Sequence, residues 1–349
     1  MSPRNRGSAP ELLTEEERGL LRSSPQPRFI EPMKAVLHDR PFSDPDWIYE
    51  RKLDGERCLA YRTRKGVRLL SRTDHLLNNS YPELVDALER EASPEFVVDG
   101  EIVAFKDGIP SFSRLQGRLG ISDPDRARRT GIAVYYYLFD IVHLEGFDTT
   151  RLPVRPRKKL LRGALGFHGN VRFLPHRNRD GEKLFVDACR RGLEGLIAKR
   201  AESRYSSTRS KDWLKLKCSH EQELVIGGFT APQGARTDFG ALLVGYYEDG
   251  KLSYAGKVGT GFDQRTLTDL GKQMRELERP DPPFADVHPI PKGTHWIEPR
   301  LVGEFAFSEW TRDGRLRHPR YLGLRDDKAA NEVVRERPQS TGAGRGRGR

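Results

Sequence analysis

Tyr49-Glu50-Arg51-Lys52-Leu53-Asp54-Gly55-Glu56-Arg57 is the stretch on which the fold turns. Residues 47–51 read as a strand, and Asp54-Gly55 reads as a tight turn leading into a second strand at 58–62. A lysine at the end of a strand is held rigidly, and a glycine turn beside it lets a phosphate approach the backbone. Glu50 lies two residues before Lys52, so both side chains leave the same side of the strand. Lysine is a weak nucleophile while protonated, so Lys52 needs neighbouring cations or desolvation to lower its pKa.

Working outward from this strand, further strand-like runs cover 67–71, 96–105 and 132–142. Helix-like runs cover 81–91, with Ser80 as the expected N-cap, and 181–191, opened by Asp180. In the run at 96–105, Asp99 and Glu101 share a face. In Trp213-Leu214-Lys215-Leu216-Lys217 the two lysines share one strand face and the two leucines the other. Two lysines on one face beside a nucleophilic lysine would clamp a triphosphate and depress the pKa of Lys52.

After Lys217 short strands dominate, at 223–230, 241–247, 253–256, 296–298, 302–310 and 316–321, with one helix at 264–277. Glycine turns such as Asp249-Gly250 and Asp313-Gly314 separate several of them. This texture suits a small β-barrel of OB type. The expected fold class is α+β: an antiparallel-sheet domain at 29–217, then an OB-fold domain at 218–330. Residues 1–28 are polar and read as a mobile, disordered lead-in. Residues 331–349 end Gly-Ala-Gly-Arg-Gly-Arg-Gly-Arg and read as a basic disordered tail.

The chain of 349 residues carries 61 Lys+Arg against 50 Asp+Glu, a net charge of +11 that favours a polyanionic partner. No stretch has the roughly 18 apolar residues that a membrane span needs, and the N-terminus has no signal-peptide core. Cys58, Cys189 and Cys218 form no CxxC pair, so neither a zinc site nor a disulfide is expected. A reducing cytoplasm is the expected location.

Taken in order, Lys52-Leu53-Asp54-Gly55, Ser71-Arg72, Asp99-Gly100-Glu101, the aromatic strand ending in Phe139-Asp140, Glu194-Gly195-Leu196-Ile197-Ala198-Lys199 and Trp213-Leu214-Lys215-Leu216-Lys217 resemble motifs I, Ia, III, IIIa, IV and V of the covalent nucleotidyltransferases. That superfamily comprises DNA ligases, RNA ligases and mRNA-capping enzymes. Arg209 upstream of Trp213, the segment Arg317-His318-Pro319-Arg320 and the run Lys257-Val258-Gly259-Thr260-Gly261-Phe262 are similar to ATP-dependent DNA ligases. The span 32–328 resembles the bacterial end-joining ligases, either the ligase module of ligase D or the ligase C type.

The resemblance implies an adenylation domain joined to an OB-fold domain, with a hinge near 217–220. It implies ATP as substrate, Mg²⁺ or Mn²⁺ as cofactor, and duplex DNA with nicked or broken ends as partner, with a Ku-type end-binding protein as a second. A monomer is expected. Lys52 would take AMP from ATP. Glu50 resembles the carboxylate that reads the adenine amino group, with an ordinary edge-strand salt bridge as the alternative. Phe139 would stack on adenine, or simply pack in the core. Arg57 and Arg72 resemble ribose and nick-phosphate contacts. Lys199, Arg209, Lys215 and Lys217 would hold the α-phosphate. Glu194 and Glu101 are the metal candidates, with Glu101 alternatively on the ribose hydroxyl, and Asp54 either joins them or only braces the turn. Arg317 and Arg320 would orient the leaving pyrophosphate. The competing reading is an RNA ligase or capping-type enzyme, which would share Lys52 and the metal carboxylates.

Overall fold

In the computed structural model the strand Trp47–Lys52 and the strand Glu56–Thr63 belong to different sheets, so the turn at Leu53, Asp54 and Gly55 carries the chain from one sheet to the other. Only glycine fits at the end of that turn, because a side chain on Gly55 would collide with the Ile102 carbonyl. The structure describes residues 9–232, 238–325 and 328–336.

The chain divides into two units. Among the described residues, the stretch up to Pro110 and Ala133–Cys218 form the first, and Ser111–Ile132 with Ser219–Glu336 form the second. The segment Ser111–Ile132, kept inside the first domain by the sequence reading, thus packs with the second unit.

One sheet of the first unit runs in the order Arg22–Ser23, Phe147–Asp148, Val134–Leu144, Phe96–Lys106, Glu56–Thr63, Gly66–Ser71. The other runs His176–Arg177, Trp47–Lys52, Gly195–Arg200, Arg209–Lys217, Lys34–Leu37. Both are antiparallel except where Val171–Phe173 and Lys34–Leu37 add in parallel. Side-chain alternation gives the second sheet two faces. Its back face carries Trp47, Tyr49, Leu196, Ala198, Leu214 and Leu216, which pack with Ala188 of the helix Gly181–Arg190. Its front face turns Trp213 into a core shared with Leu59, Val97 and Phe139 of the first sheet. Polar residues survive at that buried front only because they are paired.

One such pair is fully buried. Arg157, on the helix Val154–Ala164, donates to both oxygens of Asp140 at 2.7 and 3.0 Å. Burial pushes the Asp140 carboxyl up, but Arg157 outweighs it and holds the carboxyl below the usual aspartate range. A carboxyl depressed by folding stabilises above its unfolded pKa, and that contribution fades as pH falls through the folded value. Asp140→Asn leaves the guanidinium buried without its counter-ion and should cost about 3–5 kcal/mol at neutral pH. Urea unfolding of both proteins checks this. The gap should hold at neutral pH and narrow below about pH 4. A gap under about 1 kcal/mol at neutral pH, typical of an exposed pair, would mean the pair is not the anchor described.

In the second unit the strands Lys251–Val258, Leu242–Glu248, His220–Thr230, Thr294–Phe307 and Glu278–Arg279 form one antiparallel sheet, with Arg320–Leu324 also on Thr294–Phe307. The helix Gln264–Glu276, capped by Asp263 on the Thr266 amide at 2.7 Å, buries Leu267, Leu270 and Met274 in the same core. This is the OB-type domain expected from the sequence.

Several expectations need correction. Residues 1–28 are not a disordered lead-in where described. Thr14 and Glu17 form a capping box, Leu13 is buried, Leu12 lies against Gly163, and Arg22–Ser23 adds a strand to the first sheet. At the other end Val333 is buried in the second core, so the proposed disordered tail from 331 begins too early; residues 337–349 lie outside the described residues. Ser80 is not the cap of its helix, which spans Pro82–Glu89 behind Tyr81 with proline supplying the preset first turn. The two runs at 296–298 and 302–310 are largely one strand, Thr294–Phe307, because its partner strand shifts register between Ile226 and Gly228 and so accommodates Pro299. Positive φ at His318 splits the expected strand at 316–321 into Leu316–Arg317 and Arg320–Leu324.

The cysteine expectation is also overturned. Cys189 and Cys218 form a disulfide. The helix Gly181–Arg190 ends just before the strand Gly195–Arg200, and Lys217 pairs with Gly195 at the strand's start, which brings Cys218 back beside the helix end. A separation of 29 residues in sequence hides that closeness. Among the described residues no helix is long and apolar enough to cross a membrane.

Candidate active site

Cross-strand register arranges the front face of the second sheet in rows. Lys52, Gly195 and Lys217 lie opposite one another across three strands. The next row is His176, Glu50, Ile197 and Lys215. The third is Ile48, Lys199 and Trp213. Directly opposed residues share a face, so one surface collects these side chains.

The first row is a charge cluster around Glu194, which stands just before Gly195. Lys52 Nζ is 2.5 Å from Glu194 Oε1, and Lys217 Nζ is 3.9 Å from the same oxygen. Burial raises the Glu194 carboxyl, but Lys52 and Lys217, with Lys215 behind them, more than offset it and hold it ionised. The same pairing corrects the expected electrostatics of Lys52. Burial and Lys217 do pull its pKa down, yet Glu194 and Glu101 outweigh them, and Lys52 rests above the ordinary lysine value. The missing ingredient in the sequence reading was the carboxylate at contact distance. Glu194 Oε2 is buried and has no hydrogen-bond partner among the described residues, so the cluster has a lone pair to offer a cation.

Glu101 lies on the strand Phe96–Lys106 opposite Arg57, half-buried, where its charge reaches both Lys52 and Arg57. Asp54 is half-buried in the turn after Lys52. Arg57 donates to both Asp99 oxygens at 2.5 and 2.6 Å, and its guanidinium lies 4.6 Å from the centre of the Phe139 ring. Tyr205 Oη also donates to Asp99, at 2.7 Å. Arg72 is half-buried just after the strand Gly66–Ser71.

At the other end of the face Glu50 is 2% exposed and bridges two lysines. Lys158 contacts Oε1, and Lys199 approaches Oε2 at 2.9 Å. Burial alone would raise this carboxyl, but Lys158 and Lys199 together lower it. Lys199 Nζ also lies 4.5 Å from the Phe139 ring centre and 4.0 Å from that of Trp213. The structure therefore brings Lys199 beside Glu50 and Phe139, two rows from Lys52 and Lys217. Phe139 is 7% exposed, within the shared core, with its ring flanked by Arg57, Lys199 and Trp213. Arg209 is exposed at the start of its strand and donates to the Ala35 carbonyl at 3.1 Å. In the second unit Arg317 is exposed and paired with Glu309 at 2.7 Å, and Arg320 is exposed at the start of Arg320–Leu324.

Sequence reasoning missed Lys158 and His176. A signal existed for the first. Val154, Arg157, Lys158 and Leu161 follow the i, i+3, i+4, i+7 spacing of a buried helix face, and all are buried. His176 carried no signal, since its place beside Glu50 depends on a two-residue strand pairing.

This geometry was compared with known proteins. Residues 31–217 match the family model described as ATP dependent DNA ligase domain, and residues 235–328 match ATP dependent DNA ligase C terminal region. The multifunctional non-homologous end joining protein LigD of Pseudomonas aeruginosa is 37% identical over 323 residues, which is 90% of this chain and 38% of that protein. The Mycobacterium tuberculosis LigD is 38% identical over 299 residues, 83% of this chain and 37% of that protein. The chain thus spans well under half the length of these relatives. A solved structure of mycobacterial DNA ligase D complexed with ATP and MES superposes with a TM-score of 0.63 at 34% identity, covering 88% of this chain and 98% of that one. On these matches, which take in both the sheet pair around Lys52 and the β-rich second unit, the chain belongs to the ATP-dependent DNA ligase family.

Proposed function

We propose that this chain seals nicks or breaks in duplex DNA, with ATP as the source of AMP and Lys52 as the group that carries it. The observation that carries this reading is the contact between Lys52 and Glu194 at the end of one strand, within a row that also contains Lys217. Lys52 Nζ attacks the α-phosphorus, a P–N bond forms and pyrophosphate leaves. A DNA 5′-phosphate oxygen then displaces Lys52, and the 3′-hydroxyl finally displaces AMP.

The residues fit a divalent cation, since Glu194 offers a buried oxygen without a hydrogen-bond partner and carboxylates suit Mg²⁺ and Mn²⁺. Glu194 would hold it, with Glu101 and Asp54 as further oxygen donors. When bound, the ion would neutralise charge building on phosphate oxygens and cancel the attraction that keeps Lys52 protonated. Lys217 and Lys215 supply positive charge to the α-phosphate, and Glu50 and Phe139 receive the adenine. Arg57, Arg72 and Arg209 remain assigned to ribose and phosphate contacts, Lys199 serves the base end, and Arg317 and Arg320 orient the leaving pyrophosphate.

The setting we propose is end-joining repair, on the strength of the relatives' names, which carry non-homologous end joining; a Ku-type end-binding partner and a cytoplasmic location are proposed on the resemblance of the sequence alone. The RNA-directed alternative is opposed by the match of residues 235–328 to the C-terminal region of the DNA-ligase family. The test is sealing of a nicked duplex by the purified chain with ATP and Mg²⁺. AMP should appear first on the protein, then on the DNA 5′-phosphate, and a DNA nick should close much faster than the same nick in RNA. Equal or faster sealing of RNA would overturn the substrate assignment.

A further inference from the structure

Lys158 lies outside every motif around Lys52, yet its ammonium is 1% exposed and meets three acceptors. These are Glu50 Oε1, the Leu174 carbonyl at 2.9 Å and the Phe139 carbonyl at 3.4 Å. They sit on three different segments, and the Leu174 amide is itself fixed on the Leu138 carbonyl at 2.8 Å. One cation therefore ties the Glu50 carboxylate to two backbone carbonyls whose places are set by the sheets.

Lys199 touches the same carboxylate but is held differently. It lies 2.9 Å from Oε2 and otherwise rests against the Phe139 and Trp213 rings, with none of the backbone carbonyl contacts that hold Lys158 among the described residues. A cation with unspent N–H groups can turn toward a ligand. One with three fixed acceptors cannot, so Lys158 is the anchor of the pair. Opposite Glu50 stands His176, whose buried Nδ1 has no partner. Burial, then Lys158, brings its pKa down to about 4, so it stays neutral at physiological pH and adds no competing charge.

We propose that Lys158 is a positioning residue for base selection: it fixes Glu50 so that the carboxylate accepts from the exocyclic amino group of adenine and disfavours a base without one. This rests on the reading of Glu50 as the adenine contact. A carboxylate only accepts hydrogen bonds, so a purine lacking the amino group leaves it facing a position with no donor. Without Lys158, Glu50 would be held at one oxygen by Lys199 alone, free to turn about that contact, and would lose that discrimination.

The experiment measures self-adenylation of the full chain with ATP and with purine riboside triphosphate, which lacks the amino group. Wild type, Lys158→Met, Lys158→Gln and Glu50→Ala are compared by kcat and KM. Wild type should prefer ATP. The two Lys158 variants should lose about tenfold of that preference, roughly the worth of one charge-assisted hydrogen bond, with most of the loss in the KM for ATP. If Lys158→Met fails to fold, Lys158→Gln, which keeps a donor for the two carbonyls, carries the test. Equal slowing with both nucleotides would reduce Lys158 to a packing residue and overturn the proposal. If Glu50→Ala, which has no acceptor, loses the preference while both Lys158 variants keep it, Glu50 reads the base without Lys158 and this inference alone falls. If Glu50→Ala keeps the preference, the reading of Glu50 falls and the inference with it.

Discussion

Lys52→Ala should form no covalent adenylate. After incubation with ATP labelled at the α-phosphorus, wild type should carry label through a denaturing gel and the variant none. The bond to be made is a phosphoramidate, and it needs an amine placed on the α-phosphorus. The neighbouring amine, Lys217, cannot take over. It sits across the intervening strand from Lys52, with Gly195 between them, so its Cα is roughly 10 Å away by ordinary strand spacing. An α-phosphate in line for one lysine is out of line for the other. Lys52→Arg separates nucleophilicity from charge. It keeps a cation for Glu194, so a loss there cannot be blamed on an unbalanced carboxylate, and the guanidinium stays protonated and cannot attack. Both variants should be inactive by at least about 10⁴-fold, the scale seen when a nucleophile is removed outright. Label on Lys52→Ala at the wild-type level would remove Lys52 from the role.

How much of this site the sequence carries depends on the distance over which each contact is made. Glu50 and Lys52 share a face because strand alternation is local, and the Asp54-Gly55 turn announces itself by composition. The same alternation groups Lys215 with Lys217, and the sheet uses both in that sense. Contacts made across the fold were not legible. The disulfide, the Glu50–Lys158 pair and the placement of His176 all need the strand order of the second sheet, which no local pattern specifies. The Lys52 expectation failed for a related reason. Its lysine neighbours were visible by alternation, but the carboxylate that outweighs them sits at the end of another segment, and at 2.5 Å its attraction exceeds the repulsion from more distant cations. For Lys199 the motif spacing gives order along the chain but not its row on the sheet. The register of Lys199 with Ile48 and Trp213 sets it two rows away from Lys52.

Glu194→Ala sets two effects of opposite sign against each other, and their sizes decide the outcome. Removing the carboxylate releases Lys52 from the partner that raises its pKa, which favours the free amine. Each unit of pKa gained this way is worth at most tenfold in the fraction of free amine, about 1.4 kcal/mol. The same change removes the buried oxygen offered to the cation, and takes from Lys52 and Lys217 the carboxylate they share, with Glu101 the weaker counter-charge left to Lys52. Losing one preorganised charge-stabilising element costs on the order of 10²–10³-fold in rate. The loss should win, with self-adenylation at an Mg²⁺ concentration that just saturates wild type falling by about 10²-fold or more. Glu194→Gln keeps the shape and removes the charge, so it should fall nearly as far. If both variants adenylate at the wild-type rate, Glu194 only balances the charge of Lys52 and Lys217, and the cation site must be built from Glu101 and Asp54 alone. If Glu194→Gln is active and Glu194→Ala is not, the side chain matters for packing rather than for charge. The result that supports the site described here is a deep and similar loss in both, partly recovered by raising the Mg²⁺ concentration, because a weakened cation site is filled again by mass action whereas a lost packing contact is not.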